Sequence, residues 1–338
     1  MAGEPVAVLG PLTFRPILKQ ARWGGSRLSS LLNKAATTNP DCAESWEVAD
    51  HPDGQSVVAD GPWQDHTLAE LLEQHGDLLL GRHAERSPFP LLIKFLDVTD
   101  RLSLQVHPDD EYATRQLGQA NGKTEAWVVL QAEADSRLWV GLTPGTTRRQ
   151  LATALVDGAL EDCLHGFPAT PGQCVLVPAG TVHAIGQGIV LAEFQQTSNL
   201  TFRLHDWQRL GRDGQPRRLQ VEEALECIDY DRGPLAPVTP LPLSGNGNRH
   251  LAEQLVECPY FSLRRHLFTP PVSGPITLHN DNRCRILVTV SGTGSLAAAE
   301  TTCELAPGCT VLLPASVTSV EITATTPLSL LETFLPGE

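Results

Sequence analysis

Positive charge is scarce in this 338-residue sequence: 25 lysines and arginines stand against 39 aspartates and glutamates, a formal charge of −14. Such a chain repels polyanions, so nucleic acid and anionic membranes are not expected partners. Long apolar runs are missing as well. The densest, Phe89 to Leu96, is broken by Pro90 and Lys94, and falls short of the roughly 18 residues of a membrane span. The opening stretch, Met1 to Gly10, has no basic start and no apolar core, so no secretory leader is expected. No two of the eight cysteines form a Cys-x-x-Cys pair; the closest are Cys303 and Cys309. That spacing argues against a disulfide framework and a four-cysteine zinc site, and fits free thiols in a reducing cytoplasm. Charged residues make up only 19% of the chain, whereas glycine (28) and proline (26) are plentiful. Turn formers at that density favour many short strands over long helices.

Periodicity locates the elements. Leucines at helical spacing predict a helix over His66–Gly81, and shorter helices are expected at Asp109–Leu117, Thr146–Gly158 and Val221–Ile228. Glu44–Ala49 and Pro88–Val98 read as strands, and Trp127–Gln131 with Arg137–Gly141 as a strand pair across a turn. Pro234–Pro242 is proline-rich and reads as a linker. An internal repeat is visible at an offset of 136: Pro171-Gly-Gln-Cys-Val-Leu-Val-Pro-Ala179 recurs as Pro307-Gly-Cys-Thr-Val-Leu-Leu-Pro-Ala315. Two copies of a small β unit imply two related β-sandwich domains. Continued linearly, the repeat sets His183 against Ser319, so the second copy cannot do what His183 does.

Three segments concentrate metal-ligand chemistry on strands. In Leu104-Gln105-Val106-His107, the spacing of two puts Gln105 and His107 on one face. The same rule puts Lys123 and Glu125 together in Gly122-Lys-Thr-Glu-Ala-Trp127. In Gly172-x5-Pro178-Ala-Gly180-Thr-Val-His183, a strand ends at a proline turn and delivers a histidine at its exit. One Gln, two His and one Glu form an oxygen and nitrogen set suited to Zn²⁺ ahead of Fe²⁺ or Mn²⁺.

The Gly-x5-Pro-x-Gly-x2-His segment resembles the second motif of the cupin barrels. More of the chain resembles the class I mannose-6-phosphate isomerases in their short bacterial form. The segments concerned are Leu92-Ile-Lys94-Phe-Leu-Asp97 with Leu102-Ser103-Leu-Gln105-Val-His107-Pro-Asp109, Gly122–Trp127, Val177–Ala184, and Glu193–Trp207, which carries Arg203. Trp23-Gly-Gly25 and Glu44-Ser-Trp-Glu47 resemble N-terminal pieces of the same family. The resemblance implies a mainly β bicupin, two jelly-roll barrels with a few helices added to the first. Residues 1–233 would form the catalytic cupin, 234–242 the linker and 243–338 a second cupin without metal. It implies one Zn²⁺ on Gln105, His107, Glu125 and His183, a substrate phosphate on Lys94, Ser103 and Lys123, and catalytic roles for Arg203, Glu193 and Lys123. One departure is visible: Asn199 stands where the family usually has an acidic residue, and an amide exchanges no proton at neutral pH.

The implied reaction interconverts mannose 6-phosphate and fructose 6-phosphate through an enediolate, in a cytoplasmic monomer or weak homo-oligomer whose partner is a small phosphorylated sugar. Zinc would stabilise the developing negative charge and Arg203 would add a fixed cation. The base stays open among Glu193, a zinc-bound hydroxide and a lysine. Other readings are an isomerase of a different aldose, an iron oxygenase (disfavoured by Gln105) and a non-catalytic sugar-binding bicupin. The second β domain shows no evident site, and packing or interface is its expected role.

Overall fold

Strand alternation dictates the layering seen in the computed structural model, which describes residues 9–34, 41–211, 214–243, 249–270, 274–298 and 301–337. In the strand Leu91–Val98, Leu91, Ile93 and Phe95 enter one apolar layer, while Leu96 and Val98 enter another on the opposite face. A strand buried on both faces needs a sheet or helices on each side. Here it lies inside a six-stranded antiparallel sheet, ordered Cys174–Val177, Glu125–Ala132, Ile189–Gln196, Leu91–Val98, Cys42–Val48, Ile17–Gly25. Facing it is a five-stranded sheet, ordered Leu164–Pro168, Arg137–Leu142, His183–Ile185, Leu104–Val106, Phe202–His205. Trp127, Val129, Leu138, Val140 and Leu191 fill the space between them. The outer face of the five-stranded sheet packs against the helices Arg148–Asp157 and Val221–Cys227.

A second sandwich repeats the first. Its larger sheet runs Thr310–Leu313, Arg285–Ser291, Leu328–Phe334, Ser262–Phe268, His250–Glu257, Leu241–Pro242, with Leu12–Thr13 added beside Thr310–Leu313. Its smaller sheet runs Thr301–Leu305, Gly294–Ala298, Ser319–Ala324, Ile276–His279. The strand order is that of the first sandwich, except that the smaller sheet lacks a counterpart of the edge strand Phe202–His205. Among the described residues no sheet closes on itself, so the expected barrels take the form of two-sheet sandwiches with free edges. The larger sheets of the two units meet back to back across a shared apolar layer that includes Phe95, Phe194, Ile286 and Leu331.

Helix ends follow their sequence signals. Leu68–Leu80 opens with a reciprocal capping box between Thr67 and Glu70, and Arg148–Asp157 with one between Thr147 and Gln150. Asp109 caps Asp110–Leu117. The short helix Arg27–Leu32 had no sequence signal strong enough to announce it. Two expectations need correction. Glu125–Ala132 and Arg137–Leu142 do not pair; the intervening turn carries the chain from one sheet to the other, so that Trp127 and Leu138 line one core from opposite sides. The repeat also slips by one residue in its turn. Val175 and Val311 both face inward, but after the turn the inward residues are His183 and Val320, with Ser319 outside the core. The proline-rich segment is tied down: Leu235 N–H bonds Val140 O at 3.1 Å and Val238 N–H bonds Cys174 O at 2.8 Å.

One buried cation locks the sandwiches together. Lys34 Nζ lies 2.6 Å from Glu47 Oε2 and donates to Gly308 O at 2.6 Å. Gly308 has φ +87°, and a Cβ there would sit 2.0 Å from Leu32 O, so no side chain fits at this crossing. Lys34→Ala leaves Glu47 buried and uncompensated, and is expected to cost about 3–5 kcal/mol in a denaturant titration. A loss below about 1 kcal/mol, the value of an exposed pair, would contradict this packing.

The second sandwich carries its own buried polar row. Burial and the neighbouring His266 push His250 from 6.5 down to about 4. Burial favours protonation of Glu332, but the His266 hydrogen bond and Arg285 outweigh it and bring the carboxyl from 4.5 down to about 2. Both groups bind fewer protons folded than unfolded. Their contribution is therefore complete above about pH 6.5 and is lost on acidification, first through His250, then through Glu332. The melting temperature is expected to fall between pH 6.5 and 4, less steeply in His250→Phe; equal slopes would remove His250 from the account.

Candidate metal and sugar-phosphate site

The alternation that builds the core also aims the polar residues. Leu104, Val106, Val182, Ala184, Phe202 and Leu204 face the outer helices. Their neighbours Gln105, His107, His183 and Arg203 therefore face the sandwich interior. From the opposite sheet, Lys94, Glu125 and Glu193 share the inward face with Leu96, Trp127 and Leu191. Register completes the assembly: His183 pairs with Gln105, Arg203 with Gln105, Glu193 with Lys94.

The result is a buried charge cluster. His107, Glu125 and His183 each present a ligand atom, all within 4.8 Å of one another. His107 Nδ1 donates to Leu200 O at 2.7 Å and His183 Nδ1 donates to Thr181 O at 2.8 Å. A ring that donates through Nδ1 keeps an Nε2 lone pair when neutral, and both Nε2 atoms point at Glu125, at 3.4 and 3.5 Å. Burial and Lys123 push His107 down to about 3, and burial likewise lowers His183, so both rings are neutral near pH 7. Glu125 is driven the other way: burial favours its acid form, but Lys123 outweighs it and holds the carboxyl well below the usual carboxylate range. Its Oε2 is buried with no aligned hydrogen-bond donor. Two imidazole lone pairs and an ionised carboxylate suit a divalent cation. Gln105 Nε2 lies 3.2 Å from His183 Nε2; turning the amide over would aim Oε1 at the same centre.

Lysines form the next layer. Lys123 Nζ is 2.7 Å from Glu125 Oε2, 3.2 Å from His107 Nε2 and 3.6 Å from Glu193 Oε1. Lys94 Nζ is 3.0 Å from Glu193 and 3.5 Å from Glu44. Burial alone would depress Lys94, but the surrounding carboxylates outweigh it and raise the amine above its usual range. Burial and Glu125 raise the Glu193 carboxyl. Glu44 completes this layer; the strand position was legible in Glu44-Ser-Trp-Glu47, its pairing with Lys94 was not. Trp127 was also missed as a neighbour, and its ring meets His183 edge-on at 5.4 Å.

Two expected residues, Ser103 and Arg203, stand apart, as does Asn199. The Ser103 hydroxyl hydrogen-bonds Gln105 at 3.4 Å, and no contact with either lysine is seen among the described residues. Arg203 is partly buried, and its Nε finds no partner among the described residues. Burial and Arg217 lower its pKa. Asn199 is exposed and donates to Asp53 Oδ2 at 2.8 Å, so a carboxylate occupies this rim although residue 199 carries none.

Comparison with known proteins points to one family. Residues 12–145 match a model described as phosphomannose isomerase type I, catalytic domain, and 252–330 one described as mannose-6-phosphate isomerase, cupin domain. Mannose-6-phosphate isomerase ManA of Bacillus subtilis is 34% identical over 306 residues, covering 90% of this chain and 93% of that protein. The chain belongs to the type I phosphomannose isomerase family. A Streptococcus mutans mannose-6-phosphate isomerase is 31% identical over 309 residues, covering 91% and 94%. The crystal structure of the Bacillus subtilis mannose 6-phosphate isomerase superposes with a TM-score of 0.87 at 30% identity, over 96% of this chain and 99% of that one. For this phosphomannose isomerase family member, loss of a metal ligand should exceed the 10- to 100-fold cost typical of a supporting residue, so Glu125→Ala is expected to lose about 100-fold or more in metal affinity. Glu193→Ala should keep its metal. A folded Glu125→Ala protein with undiminished metal by elemental analysis would contradict the ligand assignment.

Proposed function

We propose that this chain interconverts mannose 6-phosphate and fructose 6-phosphate with a zinc ion held by Gln105, His107, Glu125 and His183. The observation that carries the proposal is the convergence of two Nε2 lone pairs and an ionised carboxylate beside two buried ammonium groups. In this scheme residues 1–233 form the catalytic cupin of a two-jelly-roll chain, 234–242 connect, and 243–338 form the second cupin; the pair Leu12–Thr13 crosses over to the second unit.

When bound, the metal supplies a Lewis acid for the two substrate oxygens between which the carbonyl moves. The remaining work falls to the protein. With Glu125 and His107 engaged as ligands, Lys123 is free to turn its donors to the substrate, and Lys94 and Lys123 receive the phosphate as point charges. Ser103, beside Gln105, adds a hydroxyl at the same wall. Glu193 takes the proton from C2 of the aldose and returns it to C1, while the C2 hydroxyl proton passes to the C1 oxygen; burial and Glu125, which raise the Glu193 carboxyl, strengthen it as a base. Arg203 offers a buried donor to the enediolate oxygens and stays charged throughout. Burial of the cluster excludes bulk water, which would otherwise exchange the transferred proton.

The test is an isomerase assay on mannose 6-phosphate before and after chelation. Activity should vanish with the metal and return with zinc. Lys123→Ala is expected to raise KM for the phosphorylated sugar by about tenfold, one lost charge-assisted bond. Chelator-insensitive turnover, or an unchanged KM in Lys123→Ala, would overturn the metal or the phosphate assignment respectively.

A further inference from the structure

The second sandwich holds a counterpart of the site, and the strand register identifies its residues. Val177 pairs with Glu125, and its repeat partner Leu313 pairs with Arg285. Glu193 pairs with Lys94 and Trp127; Glu332 pairs with Arg264 and Leu287. Arg285 therefore stands in the place of Glu125, Glu332 in that of Glu193, and Arg264 in that of Lys94. The inward pair Gln105–His183 becomes Leu278–Val320. Every inward metal ligand traced by register is replaced. The carboxylate becomes a guanidinium, while the carboxylate–cation pair of the next layer is kept.

Arg285, Arg264, Glu332 and Leu278 line a cavity of about 500 Å³, a size that suits a small ligand. Arg285 is 6% exposed; Nη1 donates to Glu332 Oε1 at 2.9 Å, but its buried Nε and Nη2 have no partner among the described residues. Arg264 stacks on Phe334, 4.7 Å from the ring centroid. Two arginines against one glutamate leave a net positive charge in a chain of −14. A hydrogen-bond row gives the cavity polarity. Glu332 accepts from His266 Nε2 at 3.0 Å, which leaves His266 Nδ1 to accept from His250 Nε2 at 2.9 Å. His250 Nδ1 then remains an acceptor with no protein partner among the described residues. One end of the cavity thus offers cationic forks and the other a hydroxyl acceptor.

We propose that this cavity is a second ligand site, the metal-free counterpart of the first. It takes a small phosphorylated sugar, with the phosphate on Arg285 and Arg264 and a sugar hydroxyl on His250. The inference stands on residues of the second sandwich and is independent of isomerase activity.

The test counts sites by equilibrium dialysis with sorbitol 6-phosphate, a hexitol phosphate without the carbonyl that isomerisation needs. Zinc-loaded wild-type protein should bind two molecules per chain. Arg264→Gln removes a partly exposed side chain and should weaken one of the two sites by about tenfold or more, with isomerase activity unchanged. Arg285→Gln should do the same, and Arg264→Gln keeps the test decisive if the buried substitution unfolds the sandwich. Lys94→Gln should weaken only the other site. Binding undisturbed by Arg264→Gln, or no binding in the wild type, would overturn the inference; a single site that Arg264→Gln weakens would uphold it and count against the phosphate site of the first sandwich.

Discussion

A carboxylate held ionised by a buried ammonium group, beside two neutral imidazoles inside a β-sandwich, is the constraint on which the rest of the site depends. Glu125 cannot remain charged there without Lys123 or a metal. The imidazoles cannot offer lone pairs unless backbone carbonyls at Leu200 and Thr181 hold their Nδ1 protons. Those carbonyls come from the segments that end at the proline turn and at the loop before Arg203. The fold is thus arranged so that two sheets deliver opposite halves of one charge cluster: ligand histidines from the smaller sheet, carboxylates and lysines from the larger.

Much of this was legible because strand geometry has a period of two. Gln105 with His107, and Lys123 with Glu125, could be assigned to shared faces from spacing alone, and the structure brings them together. The mainly β architecture and the repeat were legible from turn chemistry and the Pro-Gly…Pro-Ala segments. What the sequence could not show was which strands pair. A turn between Ala132 and Arg137 looks the same whether it closes a hairpin or carries the chain across to a facing sheet. Glu44 needed the pairing of Cys42–Val48 with Leu91–Val98 to find Lys94. Arg285 was invisible for the same reason, since the repeat is recognisable only near its proline turns and the active strands have diverged.

The two sandwiches show how one strand order supports two electrostatic designs. In the first, a carboxylate at the pivotal inward position calls for cations. In the second, a guanidinium at the same position calls for an anion, with histidines aligned behind Glu332 rather than converging on a metal. The acidic exterior does not oppose either design. Its charges act through water and salt, which screen beyond roughly 8 Å, whereas both clusters lie within low-dielectric cores.

The most direct test of the central claim is X-ray absorption at the K edge of the metal in the purified, metal-loaded protein. The account predicts a first shell of two imidazole nitrogens with carboxylate and amide oxygens, and loss of the imidazole multiple scattering when His107 and His183 are replaced together. A metal shell of oxygens alone, or one unchanged by that double replacement, would contradict it.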